Sequence, residues 1–197
     1  MDGHVSLFNR IAPVYAWFYQ RQRRRFRQVI EGARGLFDLA AHETVLDVGS
    51  GTGALCSVMR DMGMQVTGVE PAGRMLAAAR RQPGNQGIDF LQADALKGLP
   101  FADKAFDIVI ASYVAHGMGP QERQRLYREM RRLSRRHMII YDYNPRRSPI
   151  ITLAERLEGG DYFNFIRVAP DELRACCAGL QVIYVDRRAA WYICTPG

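Results

Sequence analysis

Short apolar runs alternate with segments of helical period along most of this chain. Residues 44–48, 65–69, 88–92, 106–111 and 137–142 are rich in Val, Ile, Leu, Phe and Met, and each is bounded by turn-forming residues. Runs of that length and content read as strands, and the periodic segments between most of them read as helices. Such an alternation predicts an α/β chain with a doubly wound, Rossmann-like sheet that is mostly parallel. The connection 95–104 is too short for a full crossover helix and contains Gly98 and Pro100, so a loop or a single turn is expected there. No repeat or low-complexity run interrupts the pattern.

The rhythm changes near the end. Ala169-Pro170-Asp171-Glu172-Leu173 reads as a helix start, with proline in the first turn, acids at the positive end of the dipole, and Gly179 as its stop. Segments 181–187 and 190–195 then read as strands with too few residues between them for a crossover, so they pair antiparallel. The expectation is a seven-stranded sheet with one antiparallel strand in a C-terminal hairpin.

The first strand runs into Val45-Leu46-Asp47-Val48-Gly49-Ser50-Gly51-Thr52-Gly53, followed by the helical Ala54-Leu55-Cys56-Ser57-Val58-Met59. An acid at a strand end and three glycines in the next turn form the pattern of a nucleotide-cofactor site, where the backbone turns tightly and approaches a ligand closely. Taken alone the loop is ambiguous. Gly49, Gly51 and Ala54 also satisfy the dinucleotide fingerprint, with Glu70 near the distance of its ribose acid, so an NAD(P)-binding oxidoreductase is a rival reading.

Asp47, Glu70 and Leu91-Gln92-Ala93-Asp94-Ala95, taken in order, resemble the class I S-adenosylmethionine-dependent methyltransferases. Phe8-Asn9-Arg10-Ile11-Ala12-Pro13-Val14-Tyr15 and Phe106-Asp107-Ile108-Val109-Ile110-Ala111-Ser112 are similar to the ubiquinone/menaquinone-biosynthesis-like small-molecule members of that class. The closing hairpin resembles the reversed final strand of the methyltransferase sheet and argues against the oxidoreductase. The resemblance implies one methyltransferase domain over 1–197: an N-terminal helical lid at 1–35, a cofactor-binding core at 36–143, an acceptor-side insertion at 144–168, and a C-terminal helix and hairpin at 169–197.

It also implies a division of labour around S-adenosylmethionine, with S-adenosylhomocysteine as product. Gly49, Ser50, Gly51 and Gly53 would lay backbone N–H and C=O groups along its methionine and ribose, with Asp47 toward the ammonium. Glu70 would take both ribose hydroxyls, two acceptor oxygens matching two donors. Pro71 and Met75 would cover the adenine, Asp94 with Ala95 would accept from its amino group, and Tyr15 would lie over the donor. Ala111, Ser112 and Tyr113 end the fourth strand, where an open sheet changes winding direction and ligands lodge. His116 is the first candidate base because histidine titrates near neutrality, and Asp142 and Tyr113 are further catalytic candidates. Tyr162, Phe163 and Phe165 suggest an aromatic, quinone-like or lipid acceptor.

Composition adjusts this picture at a few points. At 197 residues and 48% hydrophobic, the chain has the size of one domain with a core. The apolar stretch 11–19 is followed by its arginines, the wrong order for a secretory signal, so a cytoplasmic protein is expected. Cys56, Cys176, Cys177 and Cys194 lack metal-site spacing and are expected as small apolar residues, with no metal. The net charge of +7 comes from 25 arginines against two lysines.

Those arginines gather in two clusters. One is Arg21, Arg23, Arg24, Arg25 and Arg27, beside Trp17, Phe18 and Tyr19; it suits peripheral contact with an anionic membrane. The other is Arg123, Arg125, Arg128, Arg131, Arg132, Arg135 and Arg136, expected on the solvated side of a helix whose buried stripe is Leu126, Met130 and Leu133. A nucleic-acid methyltransferase and a non-catalytic cofactor-binding or interaction protein are the alternatives. The first is disfavoured because Ala111-Ser112-Tyr113-Val114 is not a base-reading tetrapeptide and no nucleic-acid module is recognisable.

Overall fold

A computed structural model describes residues 2–146 and 161–197. The first helix, α1 (Asp2–Ala33), is followed by β1 (Thr44–Val48), α2 (Ala54–Asp61), β2 (Gln65–Val69), α3 (Gly73–Arg81) and β3 (Asp89–Leu91). After them come β4 (Phe106–Ser112), α4 (Pro120–Leu133), β5 (Ser134–Tyr143), α5 (Tyr162–Cys176), β6 (Gly179–Ile183) and β7 (Ala189–Thr195). The seven strands run in the order β3-β2-β1-β4-β5-β7-β6, and β7 is antiparallel to both β5 and β6. The connection after β3 carries a single turn, Ala95–Lys97, as its length predicted. The chain forms two compact units, 1–94 and 95–197.

In the first unit β1 is buried from Val45 to Val48, as a strand covered on both faces must be. It pairs in parallel with β2, and β2 with β3. Helix α1 packs on α2 and α3. Its inward stripe of Ala12, Tyr19, Val29, Ile30 and Ala33 is almost without solvent contact. Two asparagines tie the unit together. Asn85 accepts a hydrogen bond from the Tyr19 hydroxyl at 2.7 Å and donates to the carbonyls of Thr52 and Ala79. Asn9 accepts from the Arg74 N–H at 2.8 Å, satisfying a first-turn donor of α3 that the helix's own cap, Ala72, has no side chain to bond.

In the second unit α4 lies on β4 and β5, with Leu126, Tyr127, Met130 and Leu133 buried. The expected arginine face is only partly solvated. Arg123 is fully buried, and Arg135 and Arg136 belong to β5, where both reach Asp107. Arg123 is withdrawn from water because two carboxylates meet it: its Nε and Nη2 donate to Glu172, and Nη1 donates to Asp161 at 2.7 Å.

Helix α5 begins at Tyr162, earlier than the Pro170 signal indicated, and Pro170 lies in its interior. The apolar stripe Tyr162, Phe165, Ile166, Ala169 and Leu173 carries the helix through the proline at the loss of one backbone hydrogen bond. Gly179 opens β6 and does not cap the helix, which ends at Cys176. Part of the 144–168 insertion lies outside the described residues, and Tyr162, Phe163 and Phe165 of it belong to α5. Phe165 is core, packed against Tyr192 and the Arg123 guanidinium. Among the described residues no helix is long and apolar enough to cross a membrane.

Candidate functional site

The glycine loop of the first unit is held by its own backbone. Gly49 and Ser50 donate N–H to the Val69 carbonyl, Gly53 donates to the Ser50 carbonyl, and Gly51 donates to Glu70 Oε2 at 2.9 Å. These four N–H groups are bonded inside the unit, so the loop's shape is fixed by the chain itself. Gly53 is left-handed at φ 75°, and a Cβ there would lie 2.4 Å from the Asn85 side chain. Gly51 is left-handed at φ 55°, an angle the turn requires.

Beneath the loop sit two buried carboxylates. Asp47 is 1% exposed; its Oδ2 accepts from the Cys56 thiol at 3.1 Å, and its Oδ1 has no hydrogen-bond partner among the described residues. Burial first, and the charge of Glu70 in addition, push the Asp47 carboxyl up to about 7, while the Cys56 hydrogen bond pulls it down. Glu70 is raised by burial against the lowering effect of its two backbone hydrogen bonds. Its Oε1 accepts from the Ala72 N–H at 2.8 Å, so the side chain joins the glycine loop to the β2–α3 turn. A carboxylate has about four lone-pair sites, so two remain for vicinal hydroxyls.

Around this base, Pro71 is half-buried and its carbonyl accepts from Gln92. Met75 is buried in a cluster with Ala12 and Ala72, against which Val5, Phe8 and Tyr15 pack. The structure thus brings Met75 and Tyr15 together, although Met75 serves as helix packing. Asp94 is half-buried in the segment after β3. An orphaned, buried carboxylate oxygen fits an ammonium group. S-adenosylmethionine carries one on its zwitterionic amino-acid tail, together with ribose hydroxyls for Glu70.

In the second unit a different group gathers at the ends of β4 and β5. His116 Nδ1 lies 2.8 Å from Asp142 Oδ1, and the His116 backbone N–H donates to Asp142 Oδ2. The Tyr143 N–H donates to Asp142 Oδ1 as well, and Asp142 is fully buried. Asp142 is therefore spent on orienting the histidine and is not itself a substrate-facing base. A carboxylate at Nδ1 places the ring proton there and leaves the lone pair on Nε2.

Tyr113 follows β4 in a left-handed conformation at φ 55°, uncommon for a residue with a side chain, and its N–H is anchored on the Tyr141 carbonyl. Burial and then the neighbouring Tyr141 push its phenol well above the ordinary range, so Tyr113 keeps its proton and cannot act as a base. The rings of Tyr113 and Tyr143 stand 6.4 Å and 4.8 Å from His116, and Tyr162 stands 5.1 Å from Tyr143. Ala111 is buried in β4, Ser112 ends that strand half-buried, and Ala95 opens the short turn after β3.

The other cysteines take no part. Cys56 and Cys194 are buried, and all four are free. The Cys176 thiol is raised by its hydrogen bond to Cys177 and by burial, which makes it a poor nucleophile. Among the described residues no cluster could hold a metal.

The strand order is that of the class I S-adenosylmethionine-dependent methyltransferase fold, and the orphaned Asp47 oxygen beside Glu70 fits that donor. A methyltransferase-domain family model matches residues 46–141, about half of the chain, from within β1 to within β5. The chain is 37% identical over 114 residues to the demethylmenaquinone methyltransferase of Thermus thermophilus, covering 54% of this chain and 50% of the relative. It is 37% identical, again over 114 residues, to the ubiquinone/menaquinone biosynthesis C-methyltransferase UbiE of Desulfotalea psychrophila, covering 57% of this chain and 42% of that one. The chain thus spans about half the length of the curated relatives it matches. Among solved structures, the DhpI complex with S-adenosylhomocysteine matches the whole chain and 96% of its own, with a TM-score of 0.71 at 18% identity. That likeness shows the fold.

Several residues with work to do were not singled out beforehand. Asn85 and the Arg123–Asp161–Glu172 group carry no local signal, because each depends on partners distant in sequence; Tyr143, which with Asp142 ends the fifth strand, is a second-rank candidate from that position alone. Asn9 lies in the Phe8–Tyr15 segment, and an asparagine side chain is well suited to accept from a helix N-terminus.

Proposed function

We propose that the protein methylates a hydroxylated, planar aromatic acceptor of the quinol type, with His116 as general base. The observation that carries this reading is the His116–Asp142 pair: a ring nitrogen 2.8 Å from a fully buried carboxylate, flanked by Tyr113 and Tyr143. S-adenosylmethionine supplies an electrophilic methyl group on a sulfonium and departs as the neutral thioether.

The chain's residues divide the remaining work. Asp47 Oδ1 accepts from the ammonium of the donor's amino-acid tail, and Glu70 accepts from its ribose hydroxyls while keeping the loop in shape. His116 Nε2 takes the proton of the acceptor hydroxyl, and the freed electron density at the acceptor forms the new bond to the methyl carbon. Asp142 holds the imidazole in the required tautomer and stabilises the imidazolium. The tyrosine rings offer flat, apolar faces with polar edges, which suits a planar acceptor. The demethylmenaquinone methyltransferase and UbiE relatives, both named for quinone methylation, support the same acceptor class.

The test is acceptor screening with donor labelled in its methyl group, against extract divided into lipid, small-molecule and nucleic-acid pools. Label is expected in a quinol-like acceptor, and His116→Ala is expected to slow its transfer about a hundredfold or more with donor affinity kept. Label confined to nucleic acid, or unchanged turnover in the variant, contradicts the proposal.

A further inference from the structure

Helix α1 has a second face that the fold leaves in water. Trp17 is 80% exposed, Val14 54% and Phe18 36%, among the most exposed large apolar side chains of the described residues. At 3.6 residues per turn Val14, Trp17 and Phe18 fall on one side of the helix together with Arg10, Arg21, Arg24 and Arg25, all of them exposed. The opposite side carries Ala12, Tyr19, Ile30 and Ala33 into the core. Two arginines of the cluster, Arg23 and Arg27, turn toward Asp61 and are spent there. The rest of the cluster surrounds the aromatic pair, in which the rings of Trp17 and Phe18 stand 4.8 Å apart, edge to face.

We infer that this outer face of α1 is a docking surface for an anionic phospholipid membrane. Charge complementarity selects the occupant: Arg10, Arg21 and Arg24 are exposed on this face, and no acidic residue stands among the exposed positions from Arg10 to Gln28. Shape agrees. The apolar residues ride the crest of a single convex helix, where they enter the headgroup–acyl boundary while the arginines on either side reach lipid phosphates. A single nucleic-acid strand would need a groove to follow. Tryptophan suits the membrane boundary, with its apolar ring inward and its indole N–H at the headgroups. The inference stands apart from the reaction proposed above and is tested without turnover.

The protein carries two tryptophans, and Trp191 is buried, so a change in tryptophan emission on binding reports Trp17. The full chain is mixed with phosphatidylcholine vesicles, with and without phosphatidylglycerol, and followed by co-sedimentation and fluorescence. The expected result is pelleting with the anionic vesicles only, a blue shift of emission, and release by raised salt. Trp17→Ala and the double variant Arg21→Glu/Arg24→Glu should each weaken pelleting about tenfold or more while melting as the wild type does. Three results overturn the inference: no pelleting, pelleting unchanged in both folded variants, or tighter binding to a single-stranded oligonucleotide that displaces the protein from vesicles. A solution dimer dissolved by Trp17→Ala also overturns it, giving the face to a second copy.

Discussion

Arg123 and Asp47 are both withdrawn from water, yet the chain treats the two charges oppositely. Arg123 meets Glu172 through two donors and Asp161 through a third, with a further bond to the Met118 carbonyl. Every face of that guanidinium is answered within the second unit. Asp47 receives one weak thiol donor, keeps one oxygen unpartnered, and has the like charge of Glu70 nearby. A compensated buried charge holds structure; an uncompensated one is a place where the fold gives up stability for a ligand that supplies the missing charge.

The largest effect is expected where compensation is complete. Arg123→Met leaves two carboxylates facing each other and should destabilise the protein by about 3 kcal/mol or more, read by urea denaturation. Adding Asp161→Asn and Glu172→Gln should recover most of that loss. Failure of the triple variant to recover would show that Arg123 acts through packing and not through charge.

Asp47→Asn should do the reverse. Burial raises the folded-state pKa of this carboxyl to about 7, so its favourable contribution is full below the ordinary aspartate range and is lost as pH rises to 7. The ionised form then costs on the order of 4 kcal/mol, at about 1.4 kcal/mol per pKa unit. The variant should melt higher than wild type at pH 8 and equal to it at pH 4. Equal melting at both pH values would remove the claim that Asp47 is uncompensated.

Glu70→Gln separates loop support from ligand contact. Glutamine has one acceptor oxygen where Gly51 and Ala72 need two, so one N–H is orphaned and donor binding should weaken about tenfold or more. The smallest effect is on pH dependence. Ionised Asp47 is the form that accepts an ammonium, so donor affinity should fall by up to about tenfold per pH unit below 7 in wild type and stay flat in Asp47→Asn. Titration calorimetry at several pH values reads both.

What the sequence disclosed follows the same division. The strands and the glycine loop were legible because their signals are local: short continuous apolar runs, an acid at a strand end, glycines in the turn. Gly53 has the left-handed angle and close approach that a turn glycine allows, while the tie that Glu70 makes to Gly51 and Ala72 had no local signal. The state of a charge was not legible. Arg123 looked like one more member of a solvated arginine face, since its two carboxylates arrive from 38 and 49 positions away. Pro170-Asp171-Glu172 imitated a helix start because proline and acids carry the same local meaning inside a helix, and only the buried stripe from Tyr162 to Leu173 overrides it. Asp142 could be nominated by its strand end, while its service to His116 depends on geometry alone.

The central claim is that Asp47 Oδ1 awaits the ammonium of the methyl donor. Its most direct test is calorimetric titration of S-adenosylhomocysteine, which keeps that ammonium, into wild type and Asp47→Asn at pH 8. The account predicts binding to wild type and affinity at least about a hundredfold lower in the variant, roughly 2.7 kcal/mol, although the variant is the more stable protein. Equal affinities, or no binding to well-folded wild type, would contradict it.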